Sequence, residues 1–163
     1  MKVLLVRHAI ALDRDTPGIS DHLRPLTEEG ASRFRKSARA VSAMLTIDAV
    51  LTSPLLRAKQ TAEILAQQWP GVITEEADAL GSGSREEFEA TLARLPKNCT
   101  VAAVGHEPHV SEWTAEWLGA SNAGAFAFKK GAVALIEFDG VAEEGEGRLV
   151  FFLAPKALKD LSD

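Results

Sequence analysis

Residues 3–9 read VLLVRHA, a short apolar run that ends on an arginine and a histidine. A continuous apolar run such as residues 3–6 is typical of a β-strand that helices cover on both faces. In sheets of parallel strands, ligands bind beyond the carboxyl ends of the strands. The stretch therefore predicts an α/β fold and places Arg7 and His8 where a binding site would lie.

The strand pattern recurs along the chain. Similar apolar runs occupy residues 49–52 and 101–104, and a weaker one occupies residues 72–74. Helical periodicity fills the intervals, which predicts strand–helix–strand units with parallel early strands. Residues 132–138 and 148–153 flank an acidic, glycine-rich turn and predict an antiparallel pair. The expected fold is a three-layer α/β/α sandwich with a mostly parallel central sheet and an antiparallel C-terminal strand pair.

Capping residues indicate where the helices begin. Thr27 is expected to cap the first helix, and Ser53 followed by Pro54 is expected to begin the second. Ser84 and Glu87 form a capping box for the next one. The helix faces expected to pack on the sheet are Ala31, Phe34, Ala38, Val41 and Leu45; Leu55, Ala58, Ala62, Leu65 and Trp69; Phe88, Leu92 and Leu95; and Val110, Trp113, Trp117 and Leu118.

Length and composition indicate one domain over residues 1–163. The hydrophobic and charged fractions, 46% and 25%, are ordinary for a folded protein. A net charge of −5 argues against a general role in binding nucleic acid or anionic membranes.

The single cysteine, Cys99, leaves no intramolecular disulfide and is expected to be a buried thiol in a reducing compartment. No secretory signal or membrane-spanning run is evident, so a cytoplasmic location is expected, and the chain is interpreted as a monomer.

Polar residues follow three of the predicted strands. Arg7 and His8 follow the first strand, and Arg57 comes one helical turn after the second. His106 follows the strand at residues 101–104. Because the carboxyl ends of parallel strands share one edge of the sheet, two imidazoles and two guanidiniums are expected to converge there. Helical side chains lean toward the helix N-terminus, so the Arg57 guanidinium is expected to reach back over this edge.

The convergence of these groups indicates an anion. Groups that carry positive charge repel one another unless an anion joins them. A tetrahedral oxyanion such as phosphate or sulfate suits the paired donors of arginine. The helix expected to open at Ser53 adds backbone N–H groups and the positive end of its dipole, so Ser53 is included among the phosphate-binding residues.

Plainer interpretations of the same residues remain open. Each histidine alone would more often be a core or surface residue satisfied by hydrogen bonds, and Arg57 alone could form a solvated ion pair. His8, His106 and His109 could hold a metal ion, but the neighbouring arginines would repel a divalent cation. Residues 81–84, GSGS, lack the lysine and the glycine spacing of a phosphate-binding loop and are interpreted as a flexible connection.

Several ordered segments carry a resemblance to a known family. They are RHA at 7–9, RPLT at 24–27 with Gly30, SPLLRA at 53–58 with QT at 60–61, GHEP at 105–108 and KGA at 130–132. Together they resemble the histidine phosphatase superfamily, in particular its small SixA-type phosphohistidine phosphatases with the phosphoglycerate mutase-like fold. The likeness spans nearly the whole chain.

The resemblance implies a phosphatase that uses no metal and no cofactor. By this likeness His8 is the nucleophile, and Arg24 is a fifth contact at the pocket mouth. The phosphate pocket is formed by Arg7, Arg57 and His106. Neutral His8 would attack phosphorus and give a phosphohistidine intermediate that water hydrolyses, while the arginines and a protonated His106 would stabilise the equatorial oxygens.

The substrate that the resemblance implies is phosphohistidine on another protein, either a phosphotransfer domain or a phosphocarrier. The connections are interpreted as mostly short and without a lid, which suits a phosphorylated side chain on a protein. No clear general acid follows the third strand, where the carboxylates are Asp78, Glu86 and Glu87. A small phosphomonoester or pyrophosphate is the alternative substrate, and a non-catalytic phosphate-binding module is a further alternative. Whether Lys129 and Lys130 guide docking stays open.

Overall fold

The computed structural model describes residues 1–162, in which a mixed six-stranded β-sheet runs through the centre. The strands are β1 (Lys2–Arg7), β2 (Ala49–Thr52), β3 (Thr74–Glu76), β4 (Thr100–Gly105), β5 (Val133–Glu137) and β6 (Arg148–Leu153). Their order across the sheet is β3-β2-β4-β1-β5-β6. The first four strands pair in parallel, whereas β5 runs antiparallel to β1, and β6 runs antiparallel to β5. This arrangement confirms the predicted α/β fold.

Helices cover both faces of the sheet. They are α1 (Glu28–Met44), α2 (Leu56–Ala66), α3 (Ala79–Ser82), α4 (Arg85–Leu92), α5 (His109–Trp117) and α6 (Pro155–Asp160). One face packs against α1, α2 and α6, and the other packs against α3, α4 and α5. Leu4 and Val6 of β1 point to the first core, and Val3 and Leu5 point to the second. All four side chains are fully buried, as expected for a strand between two helical layers.

Two of the predicted helix caps are formed. Thr27 Oγ1 accepts a hydrogen bond from the Gly30 amide at 2.9 Å, and Ser84 Oγ accepts one from the Glu87 amide at 3.3 Å. Each bond gives a partner to an N–H group that the first helical turn leaves unpaired. Helices α1 and α4 therefore begin where their capping residues predict.

The second helix begins later than predicted. Ser53 is still held by the sheet, because its amide donates to the Val104 carbonyl oxygen at 3.0 Å. Helix α2 starts only at Leu56, so the expectation that Ser53 is its N-cap is wrong. Arg57 nevertheless lies in the first turn of the helix.

Three other segments differ from the sequence-based expectation. Strand β3 lies two residues later than residues 72–74, because the Val72 amide donates to the Trp69 carbonyl oxygen in a turn. Residues 81 and 82 of the expected flexible connection belong to α3. Helix α6 had no counterpart among the predicted elements.

The connection between β1 and α1 is long, whereas most of the other connections are short, as expected. It runs over residues 8–27 and contains a 3-10 turn at Asp21–Leu23 and a bridge between Ala11 and Leu26. Asp13, Arg14 and Arg24 of this connection lie beside the ends of the central strands. The connection therefore forms part of the site described below.

Among residues 1–162, no helix combines the length and the apolar character that crossing a bilayer requires.

Candidate active site

The carboxyl ends of β1, β2 and β4 surround a pocket of about 180 Å³. The structure brings His8, Arg7, Arg24, Arg57 and His106 together around it. Ser53 does not line this pocket. The full lining consists of Arg7, His8, Asp13, Arg14, Arg24, Arg57, His106, Glu107 and Lys130. The pocket therefore has an excess of groups that can carry positive charge.

Hydrogen bonds define the protonation state of the His8 ring. Its Nδ1 lies 2.7 Å from the carbonyl oxygen of Ala9, which can only accept a hydrogen bond, so Nδ1 carries the proton. The lone pair of the neutral ring is then on Nε2. Arg57 Nε donates to this nitrogen at 3.3 Å. The geometry thus leaves Nε2 as the nucleophilic atom of His8, beside a guanidinium.

Burial keeps His8 neutral. Only 7% of the residue is exposed, and the pKa of His8 is lowered from 6.5 to about 3, mainly by desolvation. The nearby His106, Arg57 and Arg7 contribute to this lowering, whereas the hydrogen bond to the Ala9 carbonyl opposes it. An unprotonated imidazole is therefore present throughout the neutral range.

His106 lies next to His8, with 5.1 Å between the two ring centroids. Burial lowers the pKa of His106 to about 4, and the charge of Arg57 acts in the same direction. The lowered pKa favours the neutral form of His106 in this structure. Its Nδ1 is buried and has no hydrogen-bond partner within the described residues.

Ser53 acts on His106 rather than lining the pocket. Its side chain is fully buried, and its Oγ lies 2.7 Å from His106 Nε2. The same Oγ accepts a hydrogen bond from the Leu55 amide at 3.3 Å, so Ser53 links His106 to the start of α2.

The two arginines nearest His8 are both held by backbone oxygens. Arg7 Nη1 donates to the Phe128 carbonyl at 2.5 Å, and Arg57 Nη1 donates to the Asp21 carbonyl at 2.8 Å. Desolvation lowers the pKa of both guanidinium groups, which remain cations in proteins. Arg7 Nε is buried without a partner within the described residues.

Asp21 is a site residue that the sequence analysis missed. Its Oδ1 accepts from Arg24 Nε at 2.9 Å and from Arg24 Nη2 at 2.7 Å, and its Oδ2 lies 3.3 Å from Arg57 Nη2. Hydrogen bonding to Arg24 lowers the pKa of the Asp21 carboxyl. The carboxylate therefore partly neutralises the cations of the pocket. The sequence feature that could have indicated Asp21 is its position three residues before Arg24.

The carboxylates considered from the sequence as general acids are not those that line the pocket. Asp78, Glu86 and Glu87 are exposed and do not line the pocket. Glu107 does line it, but its Oε1 accepts from Ser111 Oγ at 2.6 Å and from the Phe128 amide at 2.7 Å. Glu107 therefore has a structural role in holding the segment that carries the Arg7 partner.

No three His, Cys, Asp or Glu side chains within residues 1–162 come close enough together to hold a metal ion. The imidazole of His109, considered above as a possible ligand, lies 3.5 Å from a carboxylate oxygen of Glu112 on the same helix. His109 does not line the pocket.

Comparison with known proteins places this arrangement in a family. The model of the histidine phosphatase superfamily (branch 1) matches residues 3–81. The structure of the protein histidine phosphatase SixA complexed with tungstate is 30% identical in sequence, with a TM-score of 0.81. The match covers 98% of this chain and 100% of that one. The chain belongs to the histidine phosphatase superfamily.

Two further relatives support the membership. A structure described as a phosphohistidine phosphatase SixA of Agrobacterium tumefaciens is 25% identical, with a TM-score of 0.76 and coverage of 94% of this chain and 97% of that one. An uncharacterized protein of Picosynechococcus sp. is 35% identical over 144 residues, which are 81% of this chain and 87% of that protein. Membership in this superfamily and the likeness to SixA support phosphatase activity for the chain.

Proposed function

We propose that this histidine phosphatase hydrolyses phosphohistidine on another protein, through a covalent intermediate on His8. The observation that carries the proposal is the state of the His8 ring. Its Nδ1 is hydrogen-bonded to the Ala9 carbonyl, its Nε2 lone pair is in the pocket, and burial keeps it unprotonated. A neutral imidazole held in one orientation among cations has the properties of a nucleophile for a phosphoryl group.

In the first step, His8 Nε2 attacks phosphorus and the bond from phosphorus to the substrate imidazole breaks. The substrate ring, protonated on its other nitrogen, leaves as a neutral imidazole. Phosphorylated His8 then carries positive charge on its ring, and the Ala9 carbonyl oxygen, 2.7 Å from Nδ1, stabilises that charge. In the second step, water attacks phosphorus and the bond from phosphorus to Nε2 breaks, which returns the electron pair to Nε2. The product leaves as dihydrogen phosphate, which keeps both protons of the water.

The donors around His8 match the charge that develops on the phosphoryl oxygens. Arg7, Arg57 and His106 line the pocket, and their N–H groups would donate to the phosphoryl oxygens. An anion there also favours the protonated form of His106, which adds positive charge when the substrate is bound.

The surroundings of the pocket favour a substrate with a good leaving group. Asp21 is a poor general acid because hydrogen bonding to Arg24 lowers its pKa, and Glu107 is occupied by Ser111 and the Phe128 amide. Protonated phosphoimidazole needs little acid catalysis, unlike an alkyl phosphate. The similarity to SixA, whose structure was determined with the oxyanion tungstate, supports the same substrate class.

A small phosphomonoester is the second candidate substrate. A groove of about 540 Å³ adjoins the pocket and shares Arg7 and Lys130 with it. The groove has room for the body of a small molecule whose phosphate occupies the pocket.

The decisive experiment compares substrates. The purified protein is given a histidine-phosphorylated phosphotransfer domain, phosphoserine peptides and a panel of nucleotide and sugar phosphates, and phosphate release is measured. We expect the highest kcat/KM on the phosphohistidine protein and no turnover by His8→Ala. Preference for a small phosphate would contradict the substrate, and equal turnover by His8→Ala would contradict the nucleophile. Binding of phosphate without any turnover would indicate a binding module.

A further inference from the structure

A basic surface extends from the catalytic pocket along α1 and α6. It consists of two adjoining grooves, of about 540 and 420 Å³, which share Arg33, Ser37, Pro155 and Lys156. The larger groove also shares Arg7 and Lys130 with the catalytic pocket. We call the residues that line the two grooves the basic groove. This surface and the catalytic pocket are therefore continuous.

The basic groove concentrates positive charge on an acidic protein. Seven of the 18 lysines and arginines of the chain line it, and within residues 1–162 no aspartate or glutamate does. The chain as a whole has a net charge of −5. The seven are Arg7, Arg33, Lys36, Lys129, Lys130, Lys156 and Lys159.

Most of these cations have no charged partner in the fold. Arg33 pairs with Glu29. By contrast, none of the salt bridges formed within residues 1–162 involves a lysine of the groove. Lys129, Lys130, Lys156 and Lys159 are exposed. The electrostatic potential over the basic groove is therefore positive, and a partner can reach these lysines.

The floor of the larger groove is apolar. Ala9, Ile10, Phe34, Ala154 and Pro155 line it between the cationic side chains. An apolar floor between charged rims is the usual composition of a protein-binding surface, in which a buried centre is surrounded by polar groups. It would accept an apolar side chain flanked by carboxylates.

We propose that the basic groove binds the acidic surface beside the phosphohistidine of the substrate protein. This inference rests on the proposed function and adds the chemistry of the partner: aspartate and glutamate side chains near the phosphohistidine, with an apolar residue among them. A phosphohistidine seated in the catalytic pocket brings its neighbours over Arg7 and Lys130, where the groove begins. Charge complementarity of this kind orients a partner and speeds association.

The test reverses two charges of the groove that lie outside the catalytic pocket. Lys129→Glu/Lys156→Glu changes two exposed lysines, neither of which lines the pocket. Arg94→Glu/Lys97→Glu is the matched control. It makes the same charge change at exposed positions just before β4, at the amino ends of the parallel strands and so at the end opposite to the pocket. Each variant is assayed on a histidine-phosphorylated phosphotransfer domain with an acidic surface, and on phosphoimidazole, which has no protein surface.

We expect the groove variant to lose at least tenfold in kcat/KM on the phosphorylated domain, mainly through KM, and to keep its rate on phosphoimidazole within threefold. Added salt should reduce the difference between the wild type and the groove variant, since it screens exposed charges. The control variant should match the wild type on both substrates.

The possible failures are distinguishable. If the wild type releases no phosphate from the phosphorylated domain, the proposed function fails and the groove proposal fails with it. If the wild type is active and the groove variant is equally active, only the groove proposal is contradicted. An equal loss on the domain and on phosphoimidazole would also overturn it, because the two lysines would then act on the catalytic pocket and not on a protein surface.

Discussion

The reactivity of His8 depends on its burial as much as on its neighbours. Desolvation and three nearby groups that can carry positive charge disfavour the imidazolium, and the Ala9 carbonyl orients the ring. His106 is buried beside it and also has a lowered pKa. His8 can therefore act as a nucleophile without first losing a proton.

The ionisation of these two histidines can be measured by NMR of their ring carbons and protons. The lowered pKa values, about 3 and about 4, mean that protonation begins well below the usual value of 6.5. We expect the signals of His8 and His106, assigned with single His→Ala variants, to stay constant from pH 7.5 to 5.5. A histidine-containing peptide titrates in this range and is the control. Titration of His8 near pH 6.5 would contradict a nucleophile kept neutral by burial.

Asp21 competes with an anion for Arg57. Its carboxylate lies 3.3 Å from Arg57 Nη2 and would repel a phosphate dianion in the pocket. We expect Asp21→Asn to tighten the binding of inorganic phosphate by about fivefold to tenfold, as the removal of a nearby like charge in a partly exposed site predicts. Calorimetric titration measures the change.

Asp139→Asn is the matched control for that titration, since Asp139 is an exposed carboxylate that pairs with Arg148 outside the pocket. Weaker phosphate binding by Asp21→Asn would contradict competition. It would indicate instead that Asp21 is needed to position Arg57.

Single residues were predictable where a short strand leads directly into the pocket. Arg7, His8 and His106 each lie within one residue of a strand end, so the parallel sheet alone brings them to one edge. The contact of Ser53 with His106 depends on the direction of a side chain within a packed site. The position of Asp21 depends on the path of a loop without periodicity. Neither can be derived from spacing along the chain.

The path of the connection over residues 8–27 depends on one close approach to α1. A Cβ atom on Gly30 would lie 2.1 Å from the carbonyl oxygen of Ile10. That oxygen also accepts a hydrogen bond from the Thr27 amide at 3.0 Å. Glycine at position 30 therefore allows the loop that carries Asp21 and Arg24 to pack on the helix.

Replacing this glycine should displace the loop. We expect Gly30→Ala to lower the free energy of unfolding by about 1 to 3 kcal/mol, as overpacking commonly does, and to lower activity because the loop lines the pocket. Gly140→Ala is the matched control, because a Cβ at that position meets nothing within 4 Å. Urea unfolding of both variants measures the difference. A stable and fully active Gly30→Ala would contradict the close packing of loop and helix.

Strands and helices could be predicted where the local sequence pattern alone determines them. Short apolar runs located β1, β2 and β4, because the helical layers on both faces require such runs. The start of α2 was missed because a hydrogen bond from Ser53 to the neighbouring strand overrides its capping preference. Tertiary contacts of this kind have no signature in the local sequence.

On the scale of the whole molecule, α6 completes the helical layer over one face of the sheet. This helix packs against α1, and its Leu158 is fully buried in the core that α1 and α2 share. Its six residues are too few to show a helical period, so the sequence pattern did not predict it. Local sequence patterns likewise could not predict the order of the strands across the sheet, because that order depends on long-range pairing.

The contribution of α6 can be tested with two leucines of the C-terminal segment. We expect Leu158→Ala to lower the free energy of unfolding by about 2 to 5 kcal/mol, the usual cost of truncating a buried leucine. Leu161→Ala should change it by less than about 0.5 kcal/mol, since Leu161 is 58% exposed. Urea denaturation gives both values. Equal effects of the two substitutions would contradict the packing of α6 on the core.

The phosphorylated form of His8 offers the most direct test of the proposed mechanism. The enzyme is mixed with a phosphotransfer domain that carries ³²P-phosphohistidine, quenched in alkali during turnover, digested and analysed by mass spectrometry. The account predicts label on His8, attached to Nε2 because Nδ1 donates to the Ala9 carbonyl, and no enzyme-bound label in His8→Ala. Label on Nδ1 or on His106, or turnover without any labelled His8, would contradict it.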